Sequence, residues 1–202
     1  MEFRLTYEGI LLGASRNNNT RAKHKHEIRK KFHPQLKILY DIHPAFEYYR
    51  VPREEKDERI IGEIKKRFDN MINEFERYGY YFFPIATRRL SLLCSVSILF
   101  LRPDVPGGVI QSGDIDNRMK TIFDALKVPK TKEELGGYDT PGEDEKPFFC
   151  LLEDDSLISH AAVQTDTLLQ PTGVSDARND ARLVLTVRLS PYRVSFQNLV
   201  FS

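Results

Sequence analysis

Leu90-Ser91-Leu92-Leu93-Cys94-Ser95-Val96-Ser97-Ile98-Leu99-Phe100-Leu101 is the stretch from which the fold is read. It is a long apolar run with small polar residues at intervals, stopped by Pro103, which marks a strand with at least one buried face. On its N-terminal side, residues 54–78 carry Ile60, Ile61, Ile64, Phe68, Met71, Ile72 and Phe75 at spacings of three and four, with charge on the other positions. That is an amphipathic helix. On its C-terminal side a loop rich in Gly and Pro, residues 104–113, leads to a second amphipathic helix over 114–127, with the stripe Met119, Ile122, Phe123, Leu126.

Further out, residues 3–8 alternate as a half-buried strand. Residues 21–40 are basic, with Ile28, Phe32, Leu36 and Leu39 spaced for a helix that Pro34 is expected to break or to start. Residues 129–147 form a polar insertion rich in Gly, Pro and acid. Residues 148–152 are a short apolar run, and 157–169 and 182–190 read as two strands pairing in a hairpin. Strands at both ends with helices between them predict an α+β fold: one domain over residues 1–202, a small mixed β-sheet with helices packed on one face.

With 202 residues, 41% hydrophobic and 29% charged, the chain has the makings of a core and is no disordered polyampholyte. No apolar run is long enough to span a membrane, and the start lacks the basic and apolar regions of a signal peptide. Cys94 and Cys150 sit in apolar segments without metal-site spacing, so both are expected in the core, and a reducing, cytoplasmic setting is the expectation.

The net charge of +1 hides two opposed blocks. Residues 14–37 hold Arg16, Arg21, Lys23, Lys25, Arg29, Lys30, Lys31 and Lys37 against Glu27 alone. Residues 131–155 hold nine acids against two lysines. The first suits a polyanion and the second suits cations, although a solvated surface accounts for either block alone. His24 and His26 lie in the basic block and are expected on a DNA-facing surface, since an H-x-H pair without a third spaced ligand is a poor metal site. His160 is expected to be a partly buried structural residue. Tyr48, Tyr49, Tyr78, Tyr80, Tyr81, Phe82 and Phe83 suit a core or a dimer surface better than base stacking.

The densest chemistry is Gly113-Asp114-Ile115-Asp116-Asn117-Arg118-Met119-Lys120. One Asp there can cap the helix start, but two acids two residues apart cannot both be caps. Asp116, Lys120 and Asp124 recur every four residues and line one helix edge, where an ordinary salt bridge is the bland alternative. Glu153-Asp154-Asp155 is a second acidic cluster before a strand. If the helix start and the strand start converge, Asp114, Asp116 and Asp154 or Asp155 supply oxygen ligands for Mg²⁺, and Lys120 offers charge to a phosphate. The chemistry suggested is metal-assisted attack on a phosphodiester in nucleic acid held by the basic block.

The string Asp114-Ile115-Asp116-Asn117-x-x-Lys120-x-x-x-Asp124-Ala125-Leu126, with Asp154-Asp155-Ser156-x-Ile158 downstream, resembles the D-x-D-N-x-x-K-x-x-x-D-A-L and D-D-x-x-V elements of the RusA-like Holliday junction resolvases. Order is preserved over about residues 90–190. The resemblance implies a homodimeric endodeoxyribonuclease that resolves four-way DNA junctions in recombination and repair by paired nicks, using Mg²⁺ or, in its place, Mn²⁺. It implies Asp114, Asp116 and Asp155 as metal ligands, with Asp154 as a neighbouring acid, Lys120 as the catalytic lysine, and Asn117 and Asp124 in supporting duties. Arg16, Arg21, Lys23, Lys25, Lys30 and Lys31 are the expected DNA contacts. The helix region 54–78 and the insertion 129–147 are longer than in typical members. A basic residue common after D-D is replaced by Ala162-Val163-Gln164-Thr165. A nuclease for other branched DNA and a non-catalytic DNA-binding module of the same fold are the rival readings.

Overall fold

The computed structural model describes residues 1–13, 18–103, 114–174, 176 and 179–201, with the backbone alone at Asn18, Asn19 and Asp114. Seven strands and three α-helices follow in the order β1 (Glu2–Ile10), α1 (Asn18–Ile42), α2 (Glu58–Glu74), β2 (Glu76–Arg77), β3 (Tyr80–Ala86), β4 (Leu92–Arg102), α3 (Asp114–Leu126), β5 (Phe148–Leu152), β6 (Ile158–Thr167) and β7 (Asp180–Pro191), with short 3-10 helices between them. The α+β class is as expected, but there are two sheets. One has the order β1-β7-β4-β6, and the other β2-β3-β5.

The larger sheet grows from the apolar run at its centre. Leu92, Cys94, Val96, Ile98 and Phe100 of β4 face inward and are buried, while the alternate residues face outward. β7 repeats the pattern with Ala181, Leu183, Leu185, Val187 and Leu189, and pairs antiparallel with β1 on one side and β4 on the other. β6 pairs parallel with β4, setting Ala162 against Ser97. The expected 157–169/182–190 hairpin therefore does not form, because β4 lies between its two strands. Alternation tells a strand which face to bury, not which neighbour to take. The outward face carries a shallow hollow lined by Arg4, Ser97, Leu99, Gln164 and Thr186, and helices cover the inward face.

The smaller sheet sits within the core. β3 and β5 run parallel, with Phe83 beside Phe149, and β5 is buried at every position. Such strands show continuous apolar runs without alternation. Tyr49, Tyr80, Phe82 and Phe83 enter one aromatic core with Tyr40, Phe46, Phe68, Phe148 and Phe149, whereas Tyr48, Tyr78 and Tyr81 are exposed. Cys94 and Cys150 are buried and unpaired, as expected. His160 is exposed, contrary to expectation, because it lies on the edge strand β6, which has no buried residue.

Helix α1 runs unbroken through Pro34, which is exposed. Burial of Ile28, Phe32, Leu36 and Leu39 outweighs the one backbone bond that proline removes. The same helix buries much of its polar sequence. His24, His26, Arg29 and His33 are all within the core boundary, so the expectation of a DNA-facing His24 and His26 is corrected. His33 Nδ1 accepts the Phe149 N–H at 2.9 Å and Nε2 donates to the Asp144 carbonyl at 2.9 Å. His24 Nε2 accepts the Leu12 N–H at 3.2 Å.

The His26 ring packs among Tyr80, Tyr138 and Phe148. Burial, helped by the Arg29 and Lys30 charges, pushes its pKa down to about 3. The folded state thus keeps this imidazole neutral, while the unfolded chain protonates it near its ordinary value of about 6.5. The stability it contributes is complete above pH 6.5 and is lost as pH falls towards 3, with a slope of at most about 1.4 kcal/mol per pH unit. The urea midpoint is expected to fall between pH 6.5 and 4.5, and His26→Phe to flatten that fall. An equal fall in the variant would refute the assignment.

The insertion at 129–147 is seated largely on α1, with Lys130 at its start reaching Asp154. Gly136 has φ +63°, and a Cβ there would lie 2.2 Å from the Lys23 Cα, so only glycine fits this approach. Lys30 Nζ meets Glu145 at 2.8 Å and lies over the Tyr138 ring.

Candidate metal-binding cleft

Helix α3 presents Asp116, Lys120 and Asp124 along one edge, as their spacing of four requires. The chain then crosses through the insertion and β5 to a short 3-10 helix, Asp155–Leu157, at the start of β6. A parallel bridge of Lys127 with Leu152, in which the Val128 N–H donates to the Leu152 carbonyl at 2.9 Å, brings these ends together. The result is a cleft of about 530 Å³ lined by Asp116, Met119, Lys120, Phe123, Asp124, Asp155, Ser156 and Ile158. The two acidic clusters, 30 or more residues apart in the chain, share it.

Not all the acids face the cleft alike. Asp116 and Lys120 are exposed within it. Asp155 is partly exposed, with Oδ2 2.8 Å from Lys127 Nζ. Asp124 is enclosed between Lys127, 3.0 Å away, and Lys25. Burial acts to raise the Asp124 carboxyl, but the hydrogen bonds and charges of Lys25 and Lys127 outweigh it and hold it below the usual range. Asp154 is turned away from the cleft lining. It caps the 3-10 helix by accepting the Ser156 N–H at 3.0 Å, and pairs with Lys130 and, at 3.7 Å, Arg88. Burial acts to raise its pKa, and the Lys130 and Ser156 hydrogen bonds overcome this and hold it far below the carboxylate range. Asp154 is thus engaged as a cap and ion-pair partner, and Asp155 is the acid of this pair that opens to the cleft. Asn117 lends its backbone carbonyl to Thr121 Oγ1 at 3.1 Å.

The side chain of Asp114 lies outside the described residues. Among those described, no group of three Asp, Glu, His or Cys is drawn close enough to cage a metal. The donors present are carboxylate oxygens in an open, partly wet cleft. That chemistry fits a hard divalent cation, which takes one or two protein carboxylates and keeps several waters.

The basic block divides in two. Arg16 lies outside the described residues. Lys25 and Lys30 are held by Asp124 and Glu145, and Arg29 is buried, so these charges serve the fold. Lys23 and Lys31 are exposed and line a second cleft of about 430 Å³ with Tyr7, Gly9, Thr20 and Glu27, while Arg21 is half-buried at the same helix start.

Lys127 and Lys130 were not singled out from the sequence. Their i+3 and i+6 offsets from Asp124 hint at one helix end, but their partners Asp154 and Asp155 come from another segment. No family model matches this chain, and no curated protein or solved structure matches it. Among the described residues no helix is long and apolar enough to cross a membrane.

Proposed function

We propose that this chain is a divalent-metal-dependent, structure-selective endodeoxyribonuclease of the RusA-like kind, acting on four-way DNA junctions as a homodimer. The observation that carries the reading is the shared cleft of Asp116, Lys120, Asp124 and Asp155. Asp116 and Asp155, with Asp114 by its place in the motif, would hold Mg²⁺ or Mn²⁺. When bound, the ion would polarise a phosphoryl oxygen and lower the pKa of a bound water. Lys120, one turn beyond Asp116 and exposed in the cleft, would offer positive charge to the scissile phosphate. Lys23 and Lys31 offer phosphate contacts along the second cleft, and Arg21 stands near them. Two coordinated nicks in a symmetric junction call for two copies related by a twofold axis.

One observation favours the non-catalytic reading: Lys25 and Lys127 already neutralise Asp124 and half of Asp155. A panel of junction, flap, duplex and single-stranded DNA, each with Mg²⁺ and with EDTA, separates the cases. The resolvase reading expects Mg²⁺-dependent symmetric nicks in the junction alone. Flap cutting would move the substrate to other branched DNA, and binding without nicks would establish the non-catalytic module.

A further inference from the structure

We infer that Lys127 is a tethered counter-cation that sets how tightly the cleft takes a divalent ion, an inference that rests on the metal-site reading above. The Lys127 side chain is buried, with its ammonium 3.0 Å from Asp124 Oδ1 and 2.8 Å from Asp155 Oδ2. Its backbone is fixed on two counts. It bridges to Leu152 through the Val128 N–H on the Leu152 carbonyl, and its own carbonyl accepts from Arg29 Nε at 3.0 Å. The charge cannot drift away as it would on a surface lysine.

Lys25 occupies the other oxygen of Asp124. On Asp155, Oδ1 lies 3.9 Å from Lys130 Nζ, beyond hydrogen-bond reach, and no nearer ion-pair partner is found for it among the described residues. Asp155 therefore offers the cleft a single oxygen, from a carboxylate whose charge is already partly cancelled. A divalent ion on Oδ1 would sit within a few ångströms of a fixed ammonium in a partly desolvated place, where like charges repel far more than in water. Lys127 thus opposes the ion while holding the carboxylate in a single-oxygen pose.

The opposition is measurable without cleavage. Mn²⁺ binding to the metal-stripped full chain is followed by electron paramagnetic resonance for wild type, Lys127→Met and Lys127→Arg, with thermal melting in EDTA and in Mn²⁺. Lys127→Met is expected to bind Mn²⁺ at least about tenfold more tightly than wild type, while Lys127→Arg stays within about twofold. Lys127→Met is also expected to gain more melting temperature from Mn²⁺ than wild type does. Equal or weaker binding by Lys127→Met beside a wild type that binds overturns this inference and leaves the metal site standing. Absence of binding in both overturns the metal-site reading and this inference with it. If Lys127→Met fails to fold in EDTA, the inference requires Mn²⁺ to restore it, and failure to do so counts against it.

Discussion

Asp116→Asn is expected to lower Mg²⁺-dependent junction cleavage by about a thousandfold or more, with junction affinity changed by less than about twofold. The change removes one negative charge and one ligand oxygen from an exposed position in the cleft and alters little else. A metal ion supplies several kcal/mol of stabilisation to the transition state of phosphodiester hydrolysis, and each 1.4 kcal/mol or so is tenfold in rate. Binding should persist because the exposed cations Lys23 and Lys31 lie along a different cleft. Single-turnover cleavage beside a gel-shift titration makes the comparison, and a variant that cuts as well as wild type would dismantle the proposed site.

The second large effect belongs to the fold. Arg29→Met is expected to lower stability by about 3–5 kcal/mol, on the order of 10 °C in melting temperature for a chain of this size. Arg29 is almost fully buried and its guanidinium donates to the Lys127 carbonyl at 3.0 Å, the Asp124 carbonyl at 2.8 Å and His26 Nδ1 at 2.9 Å. The Asp124 carbonyl is one of those left orphan in the last turn of α3, and Lys127 is the first residue beyond the helix. Methionine would leave both carbonyls buried and unpaired. Arg29→Lys should recover little, because a point ammonium cannot reproduce the planar fork. Denaturation of both variants by urea tests this, and a loss under about 1 kcal/mol in Arg29→Met would show that the carbonyls find other partners.

Arg29 also shows where sequence reasoning stops. Its positive charge counted towards a basic surface, yet His26, Arg29 and His33 recur at three and four and form a polar stripe of their own, buried beside Ile28, Phe32 and Leu36. A charge count sees the residue type and not the face. The amphipathic periods over α2 and α3, the alternation of β1 and the apolar runs of β4 and β7 were legible, because each is written in a local stretch. Helix α2 is shorter at both ends than the expected 54–78, running from the Asp57 cap to Glu74. Strand β3 escaped notice because burial on both faces removes alternation and Pro84 interrupts the pattern.

The cleft was legible to the same degree. The spacing of Asp116, Lys120 and Asp124 made one edge of α3 certain once the helix formed. The approach of Asp155 depended on the tie between the end of α3 and Leu152, which no local spacing encodes. The choice between Asp154 and Asp155 likewise hung on Lys130 and the cap at Ser156, both contacts made in three dimensions.

The parallel pairing of β6 with β4 bears on synthesis. As the chain leaves the ribosome, α1 and α3 emerge before Asp155, and β6 must await its long return path before it can dock. Distant pairings of this kind form slowly. Asp116, Lys120 and Asp124 are therefore made well before Asp155, and the cleft that all four line closes only after β5 has followed the insertion into place.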